Sequence, residues 1–271
     1  MQNFLNQQQI NQIFQVALQA GEIASKAFLT NNFEVFVKKD GSKVSSIDLQ
    51  ISELISQNLA KISPNIPIIC EEGLKHKINN NQSFFLVDPI DGTSSFINNS
   101  HEFCINIALI KNNKPVFGLI YAPLYQGGLA VFSNHFNEII FYNHQLQKFE
   151  KFKPKNSQSD HLKIVTSLRT KEQDIKTFIE QFYPNYLENF SLIKLSSAIK
   201  FFKIIDGSAN IYLHFRDSME WDIASGHAVI NLMQLQLINL NFENNVFTFG
   251  DELQYNKENF INKKFVIKNF N

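Results

Sequence analysis

Phe84-Phe85-Leu86-Val87-Asp88-Pro89-Ile90-Asp91-Gly92-Thr93-Ser94-Ser95 decides how this chain folds and what it can bind. Four apolar residues end on a carboxylate, and a second carboxylate follows three residues later. The run reads as a short buried strand, residues 84–88, that delivers two hard oxygen donors at its end. Pro89 has no N–H, so the chain leaves the ladder abruptly. That frees the Ile90 carbonyl to act as a neutral donor between two charged ones. Gly92 permits close approach of the backbone to a ligand. Thr93 offers a hydroxyl that can orient a water, and the small residues after it can open a helix whose N-terminal amides face an anion. Cations on one side and a phosphate cradle on the other point to metal-assisted phosphoryl transfer. A bare Asp-x-x-Asp is also what an ordinary turn looks like, because Asp favours turns.

Working outward, three more acids stand in suggestive places. Cys70-Glu71-Glu72-Gly73 ends the preceding apolar run, residues 66–70. If the two strands are neighbours, Glu71 and Asp88 leave one sheet at the same edge, with Glu72 a solvated loop residue. Trp221-Asp222-Ile223-Ala224-Ser225-Gly226 places Asp222 just before an apolar helical run. It reads as an N-cap and equally as an oriented ligand, with Trp221 and the small residues predicting tight packing beneath. Ser45-Ser46-Ile47-Asp48 fits a capping box. Carboxylate and carbonyl donors favour Mg²⁺ over Zn²⁺. The seven histidines do not cluster, and His227 reads as a packing residue.

The 271 residues suffice for one large domain or two packed subdomains. The polar, lysine-rich stretch 143–162 marks the boundary, giving 1–150 as an N-terminal α+β part and 151–271 as a C-terminal α/β part. Formal net charge is zero, which argues against a nucleic-acid surface. The basic run Lys148, Lys151, Lys153 and Lys155 is expected to be a solvated edge or loop. Only two arginines occur, Arg169 and Arg216, so phosphate must be held by metals, lysines and amides. Cys70 and Cys104 sit in apolar runs and fit a reducing compartment. No apolar run approaches the roughly 18 residues of a membrane span, and no leader is visible. The expectation is a cytoplasmic protein, monomer or homodimer, with peripheral association at the inner face of the membrane left open.

Helical spacing is evident over 4–29 and from Ser45 to about 62, the second helix burying Leu49, Leu54, Ile55 and Leu59. Residues 34–39 alternate as a strand before an Asp40-Gly41 turn. Segments 103–110, 116–121 and 129–132 form a meander, with Asn112-Asn113 as a hairpin turn. Strands at 163–166, 190–194 and 209–215 alternate with helices at 171–182, 198–205 and 222–234.

These pieces, in this order, resemble the lithium-sensitive, Mg²⁺-dependent inositol monophosphatase superfamily. Its signatures are Glu-Glu, Asp-Pro-Ile/Leu-Asp-Gly-Thr and Trp-Asp-x-Ala. The segment from Lys39 to Asp48 resembles the family's Lys-x-Asp-x-Ser-x-Val-Thr-x-Ala-Asp. Residues 102–110, 118–123 and 226–229 are most similar to the bacterial 3′(2′),5′-bisphosphate nucleotidase branch. The resemblance implies an α/β (α+β) protein, a layered αβαβα sandwich of the inositol monophosphatase/fructose-1,6-bisphosphatase type. It implies hydrolysis of 3′-phosphoadenosine 5′-phosphate to AMP and phosphate, linked to sulfate assimilation. An inositol monophosphatase or broad sugar phosphatase, and a non-catalytic phosphonucleotide sensor, are the alternatives.

By the same resemblance, Glu71, Asp88 and the Ile90 carbonyl hold one Mg²⁺, and Asp88, Asp91 and Asp222 a second. Glu71 shares a third, water-rich ion. Thr93, paired with Glu71 or Asp48, orients and deprotonates the attacking water. The substrate lies against Ile90, Asp91, Gly92, Thr93, Ser94 and Asp222, the amides of 92–94 holding its phosphate. Lys194-Leu195-Ser196-Ser197-Ala198-Ile199-Lys200 resembles a substrate-binding Gly-Ser-Ser/Ala-x-Lys segment, which gives Ser197 and Lys200 the sugar or a second phosphate. The same seven residues also read as a helix start with a solvated lysine. Ser45 stands for the usual Thr, Ile47 for Ala, Ser196 for Gly and Ser225 for Ala. The Ser94-Ser95 pair matches neither the nucleotidase pair (Lys-Glu) nor the inositol phosphatase pair (Thr-Asn).

Overall fold

The computed structural model describes residues 4–73, 78–79, 82–153 and 161–268. Helix α1 (Gln7–Thr30) starts at a capping box. The Asn6 side chain accepts from Gln9 N, and the Gln9 side chain accepts from Asn6 N. Its buried stripe is built from Ile10, Ile13, Phe14, Ala17, Ala20, Ala24 and Ala27. A short hairpin, β1 (Val35–Val37) and β2 (Lys43–Ser45), turns at Asp40-Gly41 and leads into α2 (Ser46–Ile62). The face α2 buries is Ile47, Ile51, Ile55 and Leu59. That corrects the expected stripe: Leu49 is exposed and Leu54 is only half-buried. A strict four-residue repeat from Ile47 outcompetes Leu49, which lies two residues, about 200°, round the helix.

The first sheet has seven strands in chain order: β3 (Ile68–Cys70), β4 (Phe84–Asp91), β5 (Cys104–Lys111), β6 (Lys114–Ala122), β7 (Leu129–Ser133), β8 (Ile139–Asn143) and β9 (Lys148–Lys151). The β3–β4 pair is parallel and the rest are antiparallel. Helix α3 (Thr93–Ile97) interrupts β4 and β5. Asn112 and Asn113 take the left-handed conformation at the β5–β6 turn, as their pairing suggests. The polar stretch from 143 onward contains β9. All four β9 residues are exposed, so no alternation betrays the strand. Its charges pair locally, Lys148 with Glu150 and Lys151 with Glu138, which blunts an open sheet edge. Lys155 and Pro154 lie outside the described residues.

The remaining elements are β10 (Leu162–Ser167), α4 (Glu172–Phe182), β11 (Phe190–Leu195), α5 (Ile199–Ile205), β12 (Ile211–His214), β13 (Ser218–Met219), α6 (Glu220–Asn231), β14 (Gln236–Glu243), β15 (Val246–Glu252), β16 (Ile261–Asn262) and β17 (Phe265–Lys268). Six of these strands form a second sheet in the order β11-β10-β12-β17-β14-β15, while β13 pairs with β16 alone. Three apolar cores cement five layers. One joins α1 and α2 to the first sheet, and one surrounds α5 and α6 between the sheets. The third joins α4 to the far face of the second sheet. This is the expected αβαβα sandwich. Helix α6 is buried nearly all round, with Ala224, Ser225 and Gly226 against its neighbours. A Cβ at Gly226 would lie 2.3 Å from the Phe201 ring of α5, which is the tight packing the small residues foretold. No helix among the described residues is long and apolar enough to cross a membrane.

Candidate active site

Parallel pairing of β3 with β4 sets Cys70 opposite Val87, and Glu71 N donates to Val87 O at 3.0 Å. Glu71 and Asp88 therefore do leave one sheet edge side by side. Past Asp88 the β4–β5 register jumps from Asp88↔Asn106 to Asp91↔Cys104. Three steps on β4 face two on β5, a bulge that turns the Pro89-Ile90-Asp91 segment toward the cleft. Gly92 then takes φ 89. A Cβ there would sit 2.9 Å from Glu102 O, so glycine is required twice over, by backbone angle and by space. Helix α6 supplies the third acid. It begins at Glu220, so Asp222 occupies its third position, and Asp222 Oδ2 accepts from Met219 N at 2.9 Å. The expected N-cap is thus corrected: Asp222 closes the helix start from inside the first turn.

Glu71, Asp88 and Asp222 each bring a carboxylate oxygen within 4.8 Å of the others. Burial, then Glu71, Asp91 and Asp222, push the Asp88 carboxyl well above its ordinary value. Burial, then Asp91 and Glu71, do the same to Asp222. Acids so crowded and so dry are held together by a proton or by a cation, and an all-oxygen donor set suits a hard divalent ion. Asp91 adjoins the trio rather than joining it. Its Oδ2 accepts from Ala198 N at 2.5 Å, Asn106 Nδ2 at 3.1 Å and Cys104 Sγ at 3.6 Å, which leaves Oδ1 for a cation. Burial raises its carboxyl, against the pull of Lys200.

Thr93 Oγ1 lies 3.0 Å from Asp48 Oδ1 and 2.9 Å from Ile90 O, so of the two acids open to it, Asp48 is the one it touches. Asp48 also completes the expected capping box, its Oδ2 accepting from Ser45 N at 2.9 Å and Ser45 Oγ at 2.5 Å. Burial raises the Asp48 carboxyl in spite of these bonds. Lys200 is not solvated. It is 5% exposed, and its ammonium donates to Ser197 O and, at 3.5 Å, to Leu195 O. Burial lowers its pKa while Asp91 opposes the shift. Ser197 takes the left-handed conformation, φ 51.

Glu72 needs correction too. It is not a solvated loop residue, because Lys38 Nζ contacts Glu72 Oε1 at 2.5 Å and Glu71 Oε1 at 3.1 Å. Lys38 escaped notice, yet one signal could have found it. Lys38-Lys39-Asp40 satisfies a Lys-x-Asp spacing that Lys39 alone does not. Both arginines also face this region. Arg169 lines a cleft of about 840 Å³ with Glu71, Asp88 and Thr93. Arg216 lines an adjoining cavity of about 260 Å³ that shares Asp91, Lys200 and Asp222.

The sequence profile of the inositol monophosphatase family matches residues 5–233. The chain belongs to the inositol monophosphatase family. Within the family it is similar to the protein named 3′(2′),5′-bisphosphate nucleotidase CysQ of Buchnera aphidicola, 33% identical over 82% of this chain and 80% of that one. The like-named protein of Haemophilus influenzae is 26% identical over 97% and 93%. The crystal structure of CysQ from Bacteroides thetaiotaomicron, a bacterial family member, superposes with a TM-score of 0.74 at 25% identity, over 97% of each chain.

This family is Mg²⁺-dependent, and the chain retains an oxygen-only acid cluster able to hold such an ion. Its departures from the family pattern cost it no donor. Ser45 caps α2 as threonine would. Ser196 N donates to Glu102 Oε2 at 2.8 Å, tying the 195–198 loop to the first sheet layer. Ser225 is wholly buried in α6.

Proposed function

We propose that this chain is a Mg²⁺-dependent phosphomonoesterase that hydrolyses 3′-phosphoadenosine 5′-phosphate to AMP and phosphate, as its bisphosphate nucleotidase relatives' name describes. The observation that carries the reading is Thr93, hydrogen-bonded to the buried Asp48 and lining one cleft with the Glu71, Asp88 and Asp222 cluster. Divalent ions at Glu71, Asp88 and the Ile90 carbonyl, and at Asp88, Asp91 and Asp222, with a third shared by Glu71, would neutralise charge on the attacking and leaving oxygens. Thr93 would orient the attacking water, and Asp48 would draw its proton through the Thr93 hydroxyl. Gly92, Thr93 and Ser94 line the cleft, and their amides would hold the scissile phosphate. Ser197 and Lys200 would meet the ribose and the second phosphate, with Arg216 beyond them at the edge of the adjoining cavity. The site would lie between parts 1–150 and 151–271, in a cytoplasmic enzyme.

Phosphate release from 3′-phosphoadenosine 5′-phosphate, with inositol 1-phosphate in parallel and each with Mg²⁺ or EDTA, tests this. Preference for the nucleotide, lost in EDTA, is expected. Preference for the inositol ester would keep the metal site and overturn the substrate. Binding of the nucleotide without release of phosphate would favour a sensor.

A further inference from the structure

Hairpin β1–β2 stands apart from both main sheets, as a two-stranded sheet of its own. Two strands alone are marginal in water, and a further strand or a helix must support them. Helices α2 and α3 lie against β2, where Val44 and Ser45 are buried. Strand β1 is exposed throughout. Its Val35, Phe36 and Val37 are 41%, 45% and 71% exposed, three consecutive apolar residues with β2 the only strand beside them among the described residues. At β9 the same chain guards an edge with charged residues. Within β1 there is no charge, and a bare apolar edge is a template for another strand.

The ladder bonds fix which groups that edge offers. Lys38 N donates to Ser42 O at 2.8 Å, Ser46 N donates to Glu34 O at 2.9 Å, and Phe36 is paired with Val44. Glu34, Phe36 and Lys38 therefore turn their main-chain groups toward β2. By the alternation of an antiparallel ladder, Val35 and Val37 turn theirs outward. The sequence Glu34-Val35-Phe36-Val37-Lys38 is complementary to its own reverse. About a two-fold axis at Phe36, Val35 meets the second copy's Val37, Phe36 meets its counterpart, and Glu34 meets Lys38. In that register the outward amides and carbonyls of both valines find partners. The Lys38 ammonium contacts Glu72 Oε1 at 2.5 Å and Glu71 Oε1 at 3.1 Å, and its remaining proton is free for the facing carboxylate.

We propose that β1 is the contact of a symmetric homodimer, in which the β1 strands of two copies pair antiparallel about Phe36 and join both hairpins into one continuous sheet. The contact is isologous, so assembly closes at two copies. It is small, so the association is weak and reversible. It stands independently of the substrate proposed above.

The test is analytical ultracentrifugation of the purified full chain over about a thousandfold range of concentration, which carries a weak association from mostly monomer to mostly dimer. The wild type is expected to make that shift. Phe36→Lys sets like charges directly opposite each other across the axis, and should raise the dissociation constant roughly tenfold or more. Glu34→Lys changes an exposed residue outside the apolar run, so folding is not at stake. It should weaken the dimer in the same direction, by facing Lys38 with a like charge. Phe36→Cys reads the register itself. Facing residues of a non-hydrogen-bonded antiparallel pair have Cα atoms about 4.5 Å apart, within reach of a disulfide. Cys70 and Cys104 are buried, so mild oxidation should link Phe36→Cys chains faster than Phe136→Cys chains, whose site is 69% exposed but lies between β7 and β8. A wild type that stays monomeric over the whole range, a dimer untouched by Phe36→Lys and Glu34→Lys, or equal cross-linking at the two cysteine positions overturns the proposal.

Discussion

Replacing Thr93 by valine removes one oxygen from the proposed proton path and little else. Valine keeps the branched shape of threonine and deletes a hydroxyl that lies 3.0 Å from Asp48 Oδ1 and 2.9 Å from Ile90 O. A hydroxyl has one proton, so it serves one acceptor at a time. Asp48 keeps both Ser45 bonds on its other oxygen. The loss of stability should therefore be about 1–2 kcal/mol, one bond and one thinly satisfied acceptor. The effect on turnover should be far larger, roughly 10²–10⁴-fold, the usual worth of a positioned acid–base group. Asp48→Asn should cost a similar factor, because the amide still fits the capping box but no longer takes a proton. The pair then makes a sharp test. If Thr93 and Asp48 act as one unit, the double variant loses no more than the worse single variant. Phosphate release at saturating Mg²⁺ and substrate reads this directly. Losses that multiply in the double variant, or Thr93→Val activity within tenfold of wild type, would refute the pairing.

Other expectations are simpler. Asp91→Asn should abolish turnover yet leave the fold intact, because it removes one of several crowded like charges; a circular dichroism melt beside the activity assay separates the two. Gly226→Ala should destabilise by about 1–3 kcal/mol, since its methyl would meet the Phe201 ring at 2.3 Å; an unchanged urea midpoint would contradict the packing. Burial holds His227 down to about 3 from 6.5. Its folded form stays neutral while the unfolded chain takes up a proton, so the stability it contributes is complete above pH 6.5 and is lost as pH falls toward 3. The gap in unfolding free energy between wild type and His227→Gln should shrink by about 4 kcal/mol across that window, and a pH-independent gap would sink the assignment.

What could be read in the sequence was what depends on neighbours along the chain. Phe84-Phe85-Leu86-Val87 ending at Asp88-Pro89 declares a buried strand and its exit, and Ser45 with Asp48 declares a capped helix. What could not be read was set by distant partners. Thr93 lies 45 residues from Asp48, so no spacing could choose Asp48 over Glu71; the packing of α2 beneath β4 made the choice. Lys200 looked like any surface lysine at a helix start until α5 proved to be sandwiched between two sheets. Strand β9 has one aromatic residue among four exposed positions and exists because β8 offers it a ladder, not because its own pattern demands one. Asp222 lies inside the first turn rather than at the cap, because the helix begins at Glu220 and Met219 holds the cap position.

The acid cluster also carries a thermodynamic consequence that runs against the usual behaviour of carboxylates. Paired aspartates in most proteins have lowered pKa values and stabilise the fold at neutral pH. Asp88 and Asp222 are raised, first by burial and then by one another's neighbours. A raised acid contributes stability below its unfolded pKa, near 4, and loses it as pH climbs through the folded value. In the metal-free chain these two groups therefore oppose folding at neutral pH, in the opposite sense to His227. Three apolar cores must carry that burden. A bound divalent cation removes it, because it takes the place of the protons and returns its binding free energy to the folded state. Mg²⁺ should then raise the thermal midpoint more at pH 8 than at pH 5, because fewer protons compete with the cation for the acids as pH rises. A midpoint gain that is the same at both pH values would mean that the cation binds away from Asp88 and Asp222.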